Sequence, residues 1–330
     1  MERKKFGAGL IALVAGIALS AGSAFAQLGY LQGDPSIGKL VPFYEVSSTQ
    51  ATIIGLENVV TGANGVTAAS NFIFVHVVIF NVASTEIFDA TLCLSPYDFG
   101  FIILQNAPAT AAQLAETGFG VKILVASVTG DFIPTSGYVT LAVTATGTSC
   151  TTGITGVLAG SLAAWTIVQD VGTGFFGTEI PTTSAGVNVT TGLITCAGTT
   201  CPGLIPTASN VVARFDINPT VGSVTTIYVW FNSNGALIAG GSLFRNVSAF
   251  LQCEHELQIS TTISVPFEVN AINPATLGGV GQCTQAGQYR GVLRFAMPDT
   301  GFLWSHISQS GANFRMNFPG YNLSANTFIP

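Results

Sequence analysis

The densest run of reactive side chains in this sequence is Cys253-Glu-His-Glu256. Set inside a strand, alternation would put Cys253 and His255 on one face and Glu254 and Glu256 on the other, with the carboxylates roughly 6.6 Å apart at a rise of ~3.3 Å per residue. That spacing overlaps the one used by paired-carboxylate glycosidases. Any i, i+2 pair on a strand reaches it, so the expected role is a solvated acidic face opposite a disulfide-bearing one. The other histidines, His76 and His306, sit in no familiar motif, and His76, inside an apolar run, is expected to be a hydrogen-bonded core or edge residue. The sequence has no G-x-S-x-G elbow, no H-E-x-x-H pair, no G-x-x-x-x-G-K-[ST] phosphate loop and no Asp-rich calcium loop. The expectation is therefore a protein that is not an enzyme and uses no catalytic residue, metal or cofactor.

Six cysteines are the next group with chemistry to offer. An even number in an exported chain points to disulfides, and sequence neighbours suggest Cys93 with Cys150, Cys196 with Cys201, and Cys253 with Cys283. The Cys196-Ala-Gly-Thr-Thr-Cys201 spacing lacks the second Cys/His pair that a zinc site needs. Trp165, Trp230 and Trp304 would suit a sugar-stacking platform, although single tryptophans in β proteins more often fill cores. Asn188-Val-Thr190, Asn246-Val-Ser248 and Asn322-Leu-Ser324 match a glycosylation pattern too short to carry a role.

Export is read from the first 26 residues, where Arg3, Lys4 and Lys5 precede an apolar stretch from Phe6 to Leu19 and an Ala24-Phe25-Ala26 cleavage pattern. Cleavage there removes Glu2 and those three bases, leaving 15 acids against 7 bases and a net charge of about −8. No cysteine follows the cut to take a lipid anchor, and no spanning segment is expected in the mature chain. Nucleic acid is excluded as a partner, since phosphates are held by basic patches. Charged residues make up 8% of the sequence, against roughly 25% in ordinary soluble domains. None occurs from Phe132 to Gln169, from Ile180 to Ala213, or from Ile217 to Phe244. Such Thr- and Gly-rich apolar stretches favour β structure whose edges lack the charges that discourage edge-to-edge pairing.

These residues must be positioned by strands. Residues 27–46 read as an extended lead-in, an edge strand or arm, because Pro35 and Pro42 prevent a helix. Strands are expected at Ala51–Val60, Asn71–Asn81, Glu86–Leu94, Phe99–Leu104, Asn210–Ile217, Ser223–Phe231, Ala236–Leu243, Val247–Ser260, Ile263–Val269 and Gly291–Met297. Asn71–Asn81 is apolar on both faces and needs cover on both sides. One short helix is expected at Ala107–Thr117, and a second helix candidate, Val157–Val168, has helical apolar content but is flanked and interrupted by glycine and is left undecided. Turn residues every 8 to 12 positions then point to an all-β fold, an antiparallel β-sandwich or jelly roll with at most one or two short helices. The candidate organisation is a β-sandwich at 27–195 and a second β unit at 196–330, or one domain spanning both.

Ser84-Thr-Glu-Ile-Phe-Asp89 leading to Leu94-Ser-Pro-Tyr-Asp98, with Lys39-Leu-Val-Pro-Phe-Tyr44 upstream, resembles a pattern in uncharacterised exported bacterial β-rich proteins. The resemblance implies export and β structure and brings no activity. The reading that follows is a non-enzymatic secreted or cell-surface structural protein that associates with itself or an envelope partner. The alternative is an extracytoplasmic binding module for carbohydrate or a small apolar ligand. Either would work at the cell surface, in the medium or in the periplasm.

Overall fold

The computed structural model describes residues 35–48, 50–59, 72–105, 112–114, 122–127, 135–150, 152–154, 162–170, 179–180, 183–195, 204–232, 246–285, 287–309, 314–323 and 327–328. Twelve strands come from the first half of the chain: β1 (Gly38–Val46), β2 (Gln50–Asn58), β3 (Phe72–Asn81), β4 (Glu86–Leu94), β5 (Phe99–Gln105), β6 (Ala112–Leu114), β7 (Lys122–Ser127), β8 (Thr135–Ser149), β9 (Thr152–Ile154), β10 (Leu162–Asp170), β11 (Glu179–Ile180) and β12 (Thr183–Ser184). Eleven follow in the second: β13 (Asn210–Ile217), β14 (Ser223–Phe231), β15 (Asn246–Cys253), β16 (Gln258–Ser264), β17 (Val269–Ile272), β18 (Thr284–Gln285), β19 (Gln288–Ala296), β20 (Gly301–Gln309), β21 (Phe314–Pro319), β22 (Tyr321–Asn322) and β23 (Thr327–Phe328). Two short 3-10 turns, Pro274–Thr276 and Val280–Cys283, are the helical elements among the described residues.

Among the described residues the strands form four sheets, and none of them closes into a barrel. In the first half, β12-β1-β8-β3-β4 faces β11-β10-β2-β5-β7-β6, and the space between is filled by Val41, Tyr44, Ile54, Leu56, Val75, Val77, Ile102, Leu104 and Leu141 with their neighbours. In the second half, β16-β15-β19-β13-β22-β23 faces β17-β14-β20-β21 across Phe215, Leu251, Leu293, Phe295, Val229 and Leu303. Among the described residues pairing is antiparallel except between β5 and β7, which run parallel. The fold is thus the expected all-β sandwich type. No helix among the described residues is long and apolar enough to cross a membrane.

β3 shows why a strand apolar on both faces belongs here. Ile73, Val75, Val77 and Ile79 enter the first sandwich core, while Val78 and Phe80 join the apolar cluster on the opposite face. β1 reaches both clusters by a different device. Its register against β8 jumps between Val41 and Tyr44, so Pro42 and Phe43 form a bulge. Proline has no N–H to lose there. The extra residue resets the alternation, so that Val41, Tyr44 and Val46 all point into the sandwich and Leu40 and Phe43 point out of it.

Several expectations are corrected. The Ala107–Thr117 helix is not formed at its centre, because Ala112–Leu114 pairs with β7 as a strand. From residue 162 the undecided Val157–Val168 segment is strand β10. Val247–Ser260 is not continuous but reverses between β15 and β16, and Ile263–Val269 is interrupted, with Val269 starting β17 in the facing sheet. The lead-in becomes β1, paired along its length with β8 and over two residues with β12. The long strands β8 and β20 were not anticipated as elements. Ala236–Leu243 lies outside the described residues.

Disulfides join Cys93 to Cys150, with Cα atoms 5.5 Å apart, and Cys253 to Cys283, with Cα atoms 4.9 Å apart. Cys196 and Cys201 lie outside the described residues.

Candidate functional site

Cys253-Glu-His-Glu256 does not lie within a strand. β15 ends at Cys253, whose N–H donates to the Leu257 carbonyl at 2.8 Å while Glu256 N–H donates to the Cys253 carbonyl at 3.0 Å. Glu256 takes a left-handed φ of 66° to close this reversal. Glu254, His255 and Glu256 are exposed at the hairpin tip, so the strand-spaced carboxylate pair does not form. Only Cys253 turns inward, where it is buried and bonded to Cys283. The tip offers water-facing acids without a pocket wall to lower the local dielectric.

His76 is held between two elements. Its Nδ1 lies 3.0 Å from the Val189 carbonyl, which can only accept, so Nδ1 carries the proton. Its Nε2 lies 3.6 Å from Asp89 Oδ2. Both ring nitrogens therefore face acceptors of the protein itself, and the Nδ1 hydrogen bond ties the 188–192 turn to β3. Within that turn Asn188 Oδ1 accepts the N–H groups of Thr190 and Thr191. Among the described residues no three of His, Cys, Asp and Glu come together as a metal set.

The tryptophans are core residues. Trp165 packs edge-on to Phe101, and Trp230 and Trp304 are at most 1% exposed. A sugar platform built on these rings has no exposed face to offer. Trp304 stacks on Tyr228 at 5.0 Å, and Tyr228 lies 4.2 Å from Phe43. Trp230 meets the Tyr138 ring at 5.8 Å, and Tyr138 stacks on Phe80 at 4.8 Å. These rings come from β1, β3 and β8 on one side and β14 and β20 on the other. They join the first sandwich to the second.

A polar group is buried in this junction. The Tyr138 hydroxyl donates to Ser84 Oγ at 3.1 Å, and Glu268, 3% exposed, lies beside it. Burial first, and the Glu268 charge next, push the Tyr138 hydroxyl well above the usual phenol range. It stays neutral and works as a hydrogen-bond donor, not as a nucleophile or base. The backbone adds a link here, with Glu268 N–H donating to the Val82 carbonyl at 3.2 Å and the Glu268 carbonyl accepting from Phe231 N–H at 2.9 Å. Sequence reasoning missed this group because Ser84, Tyr138 and Glu268 are far apart in the chain and none sits in a local motif.

The outer side of the β15–β16 hairpin is an exposed sheet face. Asn246, Ser248, Phe250 and Gln252 stand opposite Ser264, Thr262, Ser260 and Gln258, and all eight are exposed and uncharged. Phe250 is 39% exposed and is paired on its other side with Arg294 of β19. The chemistry presented is hydroxyl, amide and one aromatic ring on a rigid sheet. Comparison with known protein families, with curated proteins and with solved structures finds no match for this chain.

Proposed function

We propose that this protein is an exported, non-enzymatic structural protein that works by packing against copies of itself or an envelope partner. The observation that carries the reading is the β15–β16 hairpin, whose exposed face is uncharged and whose outer strand β16 ends its sheet among the described residues, a ready-made edge for lateral β contacts. Two disulfides and an export-type N-terminus support a site of action beyond the inner membrane. His76 is pinned between protein acceptors, and the acids of the Glu254–Glu256 tip stand in water. The buried tryptophans give no support to the carbohydrate-binding alternative.

Hydrodynamics of the mature, oxidised chain test the proposal. The expected result is a mass that rises with concentration, and cell fractionation that places the protein in the periplasmic, surface or medium fraction. A chain that stays a monomer when concentrated overturns it.

A further inference from the structure

We infer that β16 is a self-pairing edge, through which two copies of the chain join their sheets antiparallel across a twofold axis at Thr261. The inference rests on the assembly reading above and specifies its contact.

Among the described residues β16 pairs only with β15, and it ends its sheet. Natural sheets protect such ends by charge, proline or shortness. The other ends here follow that rule. β4 carries Glu86 and Asp89, both exposed. β21 contains Arg315 and Pro319, and β6, β11, β12, β17 and β23 have four residues or fewer. β16 has seven residues, Gln-Ile-Ser-Thr-Thr-Ile-Ser, with no charge and no proline.

Its sequence is also complementary to itself. Read about Thr261, Ile259 matches Ile263, Ser260 matches Thr262 and Gln258 matches Ser264. Ile263 is buried and Ile259 packs against the core, while Gln258, Ser260, Thr262 and Ser264 face water. A twofold axis perpendicular to the sheet keeps each face on its own side, so apolar residues meet apolar residues and hydroxyls meet hydroxyls. A register shifted by one residue would oppose each Ile to a hydroxyl and put the two cores on opposite faces.

Charge favours a second copy at this edge over contact elsewhere. From residue 27 to 195 the chain carries ten acids against two lysines, one of which, Lys39, is buried. From residue 196 onward five acids are balanced by five arginines. Two copies meeting through β16 approach by their neutral halves, where like-charge repulsion is least.

Sedimentation of the mature oxidised chain, with hydrogen exchange, decides the matter. Ser260→Lys with Thr262→Lys places like charges directly opposite in both cross-strand pairs, and Ser260→Glu with Thr262→Glu does the same with the other sign. The expected result is dimers for the parent chain, weakening by at least about tenfold in each double variant, and recovery of dimers when the two variants are mixed. Amides of β16 should gain protection as parent concentration rises, a readout independent of whether the variants fold. If the parent associates but the variants associate equally well, or mixing restores nothing, or β16 gains no protection, the self-pairing edge is wrong and the assembly reading stands. A parent chain that never associates overturns both.

Discussion

Tyr44 and Tyr138 are buried to a similar degree but end differently. The Tyr138 hydroxyl has Ser84 as acceptor, whereas the Tyr44 hydroxyl, packed against Gly137, has no hydrogen-bond partner among the described residues. At neutral pH, Tyr44→Phe should therefore stabilise the fold by about 1 kcal/mol and Tyr138→Phe should destabilise it by a similar amount. Above pH 10 the two should act alike. Burial raises both hydroxyls in the folded protein, so the unfolded chain starts to lose these protons at about pH 10 while the folded chain keeps them. Each tyrosine then contributes stability that is complete below about pH 10 and falls by up to ~1.4 kcal/mol per pH unit above it. Urea titrations from pH 9 to 11 should show each Phe variant with a shallower decline, and an unchanged slope would contradict the burial of these groups. At this scale the sequence was a poor guide to chemistry. Cys253-Glu-His-Glu256 contains no Gly, Asn, Asp or Pro, so nothing in its composition marked the reversal that its hydrogen bonds and the left-handed Glu256 bring about.

Strands were legible where β-branched and aromatic residues are dense and bounded by polar ones. β4, β13 and β14 begin and end where the pattern places them. β8 was passed over although Val139, Leu141 and Val143 alternate with Thr140, Ala142 and Thr144, because the small Thr, Ala and Gly residues around them read as loop and Gly137 looks like a breaker. In place, an added Cβ at Gly137 would collide with the Phe80 carbonyl oxygen and the Tyr44 ring, so the glycine is a close approach inside a strand. Ala112–Leu114 failed in the opposite sense, because a partner strand overrides the helical preference of an Ala-rich segment. The disulfides act at this same scale. Cys253–Cys283 ties the end of β15 to a 3-10 turn across a separation of 30 residues, and Cys93–Cys150 ties β4 to the residue after β8 across 57. Loop closure of these lengths is worth roughly 3 to 4 kcal/mol each. Replacing Cys253 and Cys283 together by Ala, which leaves no buried hydroxyl, should lower the unfolding free energy by that amount. A loss below about 1 kcal/mol in urea would show that the hairpin and turn hold together without the bond.

The whole molecule depends on how its two sandwiches are coupled. One apolar cluster runs from Leu40, Phe43, Phe80 and Tyr138 in the first into Tyr228, Trp230 and Trp304 in the second and on through its core. The β17-β14-β20-β21 sheet is thus covered on both sides. Phe43 reaches this junction only because the Pro42 bulge turns it away from the sandwich to which its strand belongs. A ring that contacts Tyr228 at 4.2 Å and Trp304 at 6.0 Å and is 5% exposed should cost about 3 to 5 kcal/mol when cut to Ala. The loss falls on the coupling more than on either core. Its Val41, Tyr44 and Val46 neighbours still fill the first sandwich, and the second keeps its own facing sheets. The parent chain is expected to unfold in one cooperative transition, and Phe43→Ala in two. Circular dichroism would follow the strands of both sandwiches, and tryptophan emission would weight the second, which holds Trp230 and Trp304 against Trp165 in the first. Coincident transitions in the variant would mean that the Tyr138–Trp230 ring contact and the Val82–Glu268 backbone bond suffice to keep the halves together. Separation of the two signals would place the coupling in the aromatic junction and, through it, in the proline bulge of β1.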